Sequence, residues 1–152
     1  MLRKRKGSLI IIALVSLLIL FSVNITEANM TTAAVNVALS NTYHSNAIFY
    51  AMIGQYLETW DLDGTAYFAM ARDTMWDATD YAWQAYYEVY NSGYYTYSRQ
   101  YTLDDYYDKY SAYQNLNLVL QGNDLAGIDA IVDSWTADMN NGLAALFINL
   151  GY

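Results

Sequence analysis

Tyrosine rings surround one of the few cations of the chain, Arg99. The neighbouring tyrosines are Tyr94, Tyr95, Tyr97 and Tyr101. Tyrosine combines a large apolar ring with a polar hydroxyl, which suits contact surfaces, and a guanidinium stacks on rings or pairs with a carboxylate. We therefore expect these five side chains to bind a ligand or a protein partner. The alternative is a connecting loop whose tyrosines lie over the end of the fold.

An acidic motif occupies residues 61–65, which read Asp-Leu-Asp-Gly-Thr. It resembles the nucleophile motif of haloacid dehalogenase-like phosphatases, and that resemblance implies phosphate attack by Asp61 and acid/base catalysis by Asp63. The chemistry requires an apolar strand before Asp61, whereas residues 55–60 have a helical pattern. Glycine and aspartate stop a helix, and Asp63 or Thr65 can cap the next one. We expect a turn here.

A second acidic motif, Asp-Asp-Tyr-Tyr-Asp at residues 104–108, resembles the DDxxD magnesium motif of isoprenoid synthases. Those enzymes also need a second metal-binding helix, for which this chain has no clear candidate. The pair Thr102 and Asp105 instead has the spacing of a capping box, with Asp in place of Glu. This reading predicts that a helix begins at Thr102, with acidic side chains opposing its macrodipole.

The only histidine, His44, is an isolated candidate for chemistry. A lone histidine on a helix is most often a surface residue or a hydrogen-bonded core residue. The Glu-x-x-His pairs that hold metals in ferritin-like bundles are absent from the sequence. We therefore expect no catalytic residue, no metal and no cofactor, and a protein that is not an enzyme.

Helical periodicity extends over most of the chain beyond residue 29. We predict helices over 30–60, 66–91, 102–120 and from about 125 onward, with a kink or an end of the last helix at residues 140–142. A stripe of residues at alternating steps of four and three runs along the first helix, and it is apolar apart from two small polar residues. Its members are Val35, Leu39, Thr42, Asn46, Phe49, Ile53, Tyr56 and Trp60. The last helix repeats the pattern with Leu125, Ile128, Val132, Trp135, Met139, Leu143, Leu146 and Leu150. These stripes are expected to face the core.

The second helix has two distinct faces. One carries Asp73, Asp77, Asp80, Gln84 and Glu88, and the other carries Ala71, Met75, Ala78, Ala82, Tyr86 and Val89. The polar face is expected to be solvated and the apolar face to be buried. Four amphipathic helices joined by short turns predict an all-α fold, an antiparallel four-helix bundle stabilised mainly by burial of these apolar faces.

The first 28 residues have a different character. Arg3 to Lys6 are basic, and the window from Gly7 to Thr26 holds no charge. This pattern predicts a signal peptide or membrane anchor over residues 1–28, with 29–152 as an extracytoplasmic domain. The protein is then membrane-anchored with its bulk outside the cytoplasm, or secreted. The leader MLRKRKG also resembles that of type IV pilin-like subunits, which implies cleavage after Gly7, although Ile12 stands where that family has an acidic residue.

Charge and composition exclude several classes of partner. The chain has a net charge of −8, no cysteine and 17 tyrosines. Beyond the leader its only Lys and Arg residues are Arg72, Arg99 and Lys109, too few for binding to nucleic acid. The absence of cysteine excludes disulfides.

A hydrophobic segment followed by an extracytoplasmic four-helix bundle resembles the sensor region of chemoreceptor-type transducers. The resemblance is one of architecture and implies a sensor-like function without enzymatic activity. Our first hypothesis is a helical-bundle module that binds a ligand or a protein partner. The alternative is a self-assembling structural subunit of a pilus-like filament or of the cell envelope, so that protein partners or self-association are expected, together with membrane contact through the N-terminal helix.

Overall fold

The computed structural model describes residues 29–93, 96–123, 126–127, 129–130 and 133–151. The predicted signal peptide or membrane anchor, residues 1–28, lies outside them. The helices are α1 (Leu2–Glu58), α2 (Thr65–Ser92), α3 (Thr96–Leu120) and α4 (Ala126–Leu150). The described part contains no strand, so the all-α prediction is confirmed. Within the same ranges, no helix carries an apolar stretch of the length needed to cross a bilayer.

Each helix packs antiparallel to the next, and α4 returns to α1. On the α1–α2 side, Tyr43 stacks on Tyr81 while Gly54 lies against Phe68, so residue numbers rise on one helix as they fall on the other. The same reversal links α2 to α3 and α3 to α4. This arrangement follows from the short turns, which bring consecutive helices side by side.

The turn between α1 and α2 contains an unusually close backbone approach. A Cβ atom added to Gly64 would lie 2.4 Å from the carbonyl oxygen of Gly54. The Gly64 N–H also donates to Oε1 of Glu58 at 2.8 Å. Glycine at this position therefore lets the start of α2 return directly onto the last turns of α1.

Two apolar clusters form the core, and alanine is the most frequent residue in each. The cluster near the α1–α2 turn contains Ala47, Ala51, Phe68, Ala71, Met75, Ala78, Ala112, Leu116 and Ala130. The cluster at the other end contains Met30, Ala33, Val37, Ala85, Val89, Ala144 and Ile148. Between them lie buried polar residues, including Ser40, His44, Asp105, Lys109 and Asn141. The core is thus interrupted by a polar layer.

The prediction that the stripe of α1 faces the core is wrong. Val35, Phe49, Tyr56 and Trp60 are exposed, and Phe49 exposes 60 % of its surface. The opposite face is buried and is made of smaller residues such as Ala33, Val37, Ser40, Ala47, Ala51 and Gly54. Small side chains allow helix axes to approach closely, and dispersion contacts between the helix backbones then replace burial of large side chains.

The same inversion occurs in α4. Trp135, Met139, Leu146 and Leu150 are exposed, while Ala130, Ser134, Ala137, Asn141 and Ala144 are buried. The side chains of Leu125, Ile128 and Val132 lie outside the described residues. The helix also continues through residues 140–142, because Asn141 donates from its amide to the carbonyl of Val37 and to the Asp105 carboxylate.

The second helix agrees with the prediction from its two faces. Ala71, Met75, Ala78, Ala82 and Val89 are buried, and Tyr86 is partly buried. Of its polar face, Asp73, Asp77, Asp80 and Gln84 are exposed and Glu88 is partly exposed. Gly93, with φ of 79°, ends this helix in the left-handed region that glycine tolerates best.

The third helix begins at Thr96 instead of Thr102, so the predicted capping box is wrong. Thr102 is buried in the second turn, where its hydroxyl donates to the carbonyl of Ser98 at 2.8 Å. Asp105 is also buried and accepts from Lys109 one turn later. No glycine or proline interrupts residues 96–101, so the helix extends back through them.

Candidate interaction sites

Large apolar side chains form an exposed stripe on each of two neighbouring helices. We call these residues the outer stripe: Val35, Phe49 and Tyr56 on α1, Trp60 in the turn that follows it, and Trp135, Met139, Leu146 and Leu150 on α4. Each side chain exposes half or more of its surface. Where exposed apolar side chains on a soluble protein form a large patch, the patch usually marks an interaction site.

The α1 half of the outer stripe is also free of charge. Between residues 29 and 57 the sequence contains no Asp, Glu, Lys or Arg, and His44 is buried. A solvated helix face normally carries charged residues. The exposed acidic residues of the described part lie mainly on the other helices, for example Asp77 on α2 and Asp129 on α4.

The described side chains of the predicted site around Arg99 pack against two different helices, α2 and α4. The guanidinium of Arg99 lies over the ring of Tyr90, 5.6 Å from its centroid. Tyr97 and Tyr101 instead stack on Phe147 of α4, with centroid distances of 5.4 and 5.3 Å. Residues 96–101 form the first turns of α3. Tyr94 and Tyr95 lie outside the described residues, and a binding role for all five side chains stays a prediction.

A ladder of aromatic rings lies in the outer groove between α2 and α3. The sequence motifs described above do not predict it. Neighbouring centroids are 5.1 to 6.2 Å apart. Its members, in spatial order, are Tyr90, Tyr86, Trp83, Tyr106, Tyr110, Tyr113 and Trp76. The signal available in the sequence was the spacing of Trp76 and Trp83, which places both indoles on one side of α2 beside the acidic residues.

His44 lies in the polar layer with one ring nitrogen paired. Its Nδ1 is 2.9 Å from Oδ1 of Asp138. An ionised carboxylate only accepts, so Nδ1 carries the proton and donates it. Among the described residues, Nε2 has no hydrogen-bond partner. Burial, together with the charge of Lys109, lowers the pKa of His44 to about 4 despite the opposing effect of Asp138.

Lys109 and Asp105 form a buried pair in the same layer. Nζ of Lys109 is 2.5 Å from Oδ1 of Asp105, and neither side chain is more than 2 % exposed. Burial raises the pKa of Asp105 and lowers the pKa of Lys109, while their mutual attraction opposes both shifts. Asn141 completes the carboxylate's contacts by donating to Oδ2 at 3.3 Å. The pair lies within α3 and is buried, and Asn141 links it to α4.

The two acidic motifs have structural partners. Oδ1 of Asp63 accepts from the N–H of Thr65 at 2.9 Å, which agrees with the predicted turn. In the second motif, Asp104 accepts from Gln100, Asp105 from Lys109 and Asp108 from Asn140, so the three carboxylates point to different neighbours. Within the part of the chain that the structure describes, no group of three acidic or histidine side chains is arranged to hold a metal ion.

A cleft opens at the end of the bundle near the α1–α2 turn. Its volume is about 530 Å³, and Gln55, Glu58, Phe68 and Val119 are among the residues that line it. The Glu58 carboxylate already accepts a hydrogen bond from the Gly64 N–H.

Comparison with known proteins finds no matching family model, no similar curated protein and no similar solved structure.

Proposed function

We propose that this protein is a non-enzymatic helical interaction module that associates with a second copy of itself through the outer stripe. The proposal rests on one observation: α1 exposes large apolar side chains, such as Phe49 at 60 % exposure, on a face without charged residues. The proposal joins self-association, expected from the sequence, to a specific surface. Anchoring by the N-terminal segment, with the bundle outside the cytoplasm, belongs to the same proposal.

The area of the outer stripe supports a partner of protein size. Aromatic side chains bury about 150–250 Å² each and aliphatic ones less, so eight residues that are half or more exposed offer roughly 800 Å². A standard protein interface buries about 800 Å² on each partner. The surface is therefore large enough for one stable contact between two copies.

Charge gives an oppositely charged partner no advantage at the α1 half of this surface, because residues 29–57 carry no Asp, Glu, Lys or Arg. The chain carries a net charge of −8, so most faces of two copies repel each other. The α1 half of the stripe brings no charged side chain into contact with its partner. Val35, Phe49 and Tyr56 are spaced by multiples of seven residues, which suits packing against another helix, and Met139 and Leu146 on α4 have the same spacing.

Energy transfer between labelled copies tests this proposal. Because the chain has no cysteine, Tyr152→Cys gives one attachment point for a donor or an acceptor dye. Full chains in phosphatidylethanolamine/phosphatidylglycerol vesicles should show transfer above that of randomly distributed molecules. Phe49→Glu should reduce it to the random level, because a carboxylate would be buried without a partner. Leu118→Glu, at an exposed apolar position on α3, should leave it unchanged.

Two results would contradict the proposal. Transfer at the random level in the unsubstituted chain would exclude self-association under these conditions. An equal loss in the Leu118→Glu control would show that added negative charge, and not disruption of the stripe, separates the copies.

A further inference from the structure

A small cleft lies between the two tryptophans of α2 on the outer side of the bundle. Its volume is about 130 Å³, and Trp76, Thr79, Asp80, Trp83 and Tyr106 line it. The hydroxyl-bearing Thr79 is buried, whereas Trp76 and Trp83 are 50 % and 43 % exposed, so the cleft is open to solvent. A cavity of about 150 Å³ in another protein holds benzene. This cleft therefore admits a ligand group of a few heavy atoms.

The rings around the cleft are tilted relative to one another. Trp83 and Tyr106, which both line the cleft, have centroids 5.1 Å apart with planes at 53°, and Trp76 packs at the same separation and 50° on Tyr113, which lies outside the lining. A flat sugar ring stacks best on a single plane, while a rounded group contacts two inclined faces at once. Ring faces carry negative potential, so a cation is the rounded group that they attract.

A carboxylate completes the cleft. Asp80 lies one turn from each indole, and Nε2 of Gln84 donates to its Oδ2 at 2.8 Å, which leaves Oδ1 for a ligand. The cation nearest in sequence, Arg72, is paired with Asp73 and lines a separate cleft beyond Trp76. Together with the net charge of −8, this arrangement gives the cleft a negative potential.

We propose that Trp76, Asp80, Trp83 and Tyr106 form a binding site for a quaternary ammonium group. The group makes cation–π contacts with the indole and phenol faces while Asp80 supplies a nearby negative charge. It can belong to a free small molecule, such as choline, or to a lipid head group. This site lies on a different face from the outer stripe and does not depend on self-association.

Tryptophan fluorescence provides the readout. In a Trp60→Phe/Trp135→Phe background the only indoles left are Trp76 and Trp83, so any change in emission reports the cleft. The full chain is kept in dodecyl maltoside, which carries no ammonium group, at constant ionic strength. Choline should give a saturable change with a Kd on the order of millimolar. Its neutral isostere 3,3-dimethylbutanol should bind about tenfold more weakly, because only the cation is attracted by ring faces and Asp80.

Substitutions separate the two kinds of contact. Asp80→Asn should raise the choline Kd about threefold, and Asp129→Asn, an exposed aspartate on α4, should leave it unchanged. Trp83→Ala should raise it about tenfold. If Trp83→Ala lowers the helicity seen by circular dichroism, Asp80→Asn and the neutral isostere decide the question, because neither removes a packed ring.

Phosphocholine identifies the source of the group. Weaker binding than choline assigns the site to a free cation, since the phosphate is repelled by Asp80, and equal binding assigns it to a lipid head group. The proposal is overturned if choline gives no saturable change, if 3,3-dimethylbutanol binds as tightly as choline, or if Asp129→Asn weakens binding as much as Asp80→Asn.

Discussion

His44 on α1 and Asp138 on α4 are joined by a 2.9 Å contact, although they differ greatly in exposure. The imidazole is fully buried, whereas the carboxylate is 48 % exposed. The pair links the two helices that also carry the outer stripe. Its position makes the closure of the bundle between α1 and α4 sensitive to the protonation of one side chain.

Stability should therefore fall as the pH drops from about 6.5 to about 4. The folded-state pKa of His44 is about 4, below its ordinary value of 6.5. Above pH 7 the ring is neutral in both states and has no effect. Below pH 6.5, His44 is protonated in the unfolded chain but stays neutral in the folded chain. This difference lowers the free energy of unfolding by on the order of 3 kcal/mol at pH 4.

Urea denaturation followed by circular dichroism measures this effect at pH 7, 5.5 and 4. Asp105 and Asp108 have raised pKa values and act in the opposite sense, favouring the folded state as the pH falls. The informative quantity is the difference between the unsubstituted chain and His44→Gln, in which that pH dependence should be reduced. Identical pH profiles for the two chains would show that His44 is not held neutral.

The sequence predicts the helices well, but it identifies the buried face correctly for α2 and wrongly for α1 and α4. The spacing of Val35, Phe49 and Tyr56 correctly indicates a helix, since any stripe with that period does so. It does not determine which side faces inward, because Ala33, Ala47 and Ala51 repeat on the opposite face with the same period. Hydrophobicity alone favours the larger residues, whereas close helix packing favours the smaller ones.

The polar layer was predictable only in part. Asp105 and Lys109 are one turn apart, a spacing that identifies an ion pair on a helix, but their burial depends on contacts with other helices. Asn141 belongs to α4 and reaches Asp105 only after folding. In the same way, Arg99 was predicted to lie among its sequence neighbours and instead packs on Tyr90 of the preceding helix.

Removal of one member of the buried ion pair should destabilise the fold strongly. Lys109→Met leaves Asp105 without its cation and should lower the free energy of unfolding by about 3–5 kcal/mol. Asp105→Leu/Lys109→Met replaces the pair with apolar side chains and should recover most of that loss. Both are measured by urea denaturation at pH 7. A double variant no more stable than Lys109→Met would mean that the pair itself is required for folding.

Two glycines should respond oppositely to alanine. Gly64→Ala forces a Cβ to within 2.4 Å of the Gly54 carbonyl oxygen, so it should lower the thermal midpoint by several degrees. A Cβ at Gly142, inside α4, meets nothing within 4 Å. Gly142→Ala should therefore stabilise the protein by about 0.5–1 kcal/mol through helix propensity. Equal midpoints for the two variants would argue against the close approach of α1 and α2.

Cysteine reactivity tests the orientation of α1 most directly, because the chain has no cysteine of its own. Ser40→Cys is nearly isosteric at a position with no exposed surface, and Phe49→Cys lies in the outer stripe at 60 % exposure. Each full chain is treated with a maleimide in dodecyl maltoside, at a dilution where sedimentation shows a single copy. Phe49→Cys should react at the rate of a free thiol and Ser40→Cys at least about 100-fold more slowly, since reaction at a buried site requires local unfolding. Faster reaction of Ser40→Cys would place the large apolar residues inside and remove the basis of the proposed interface.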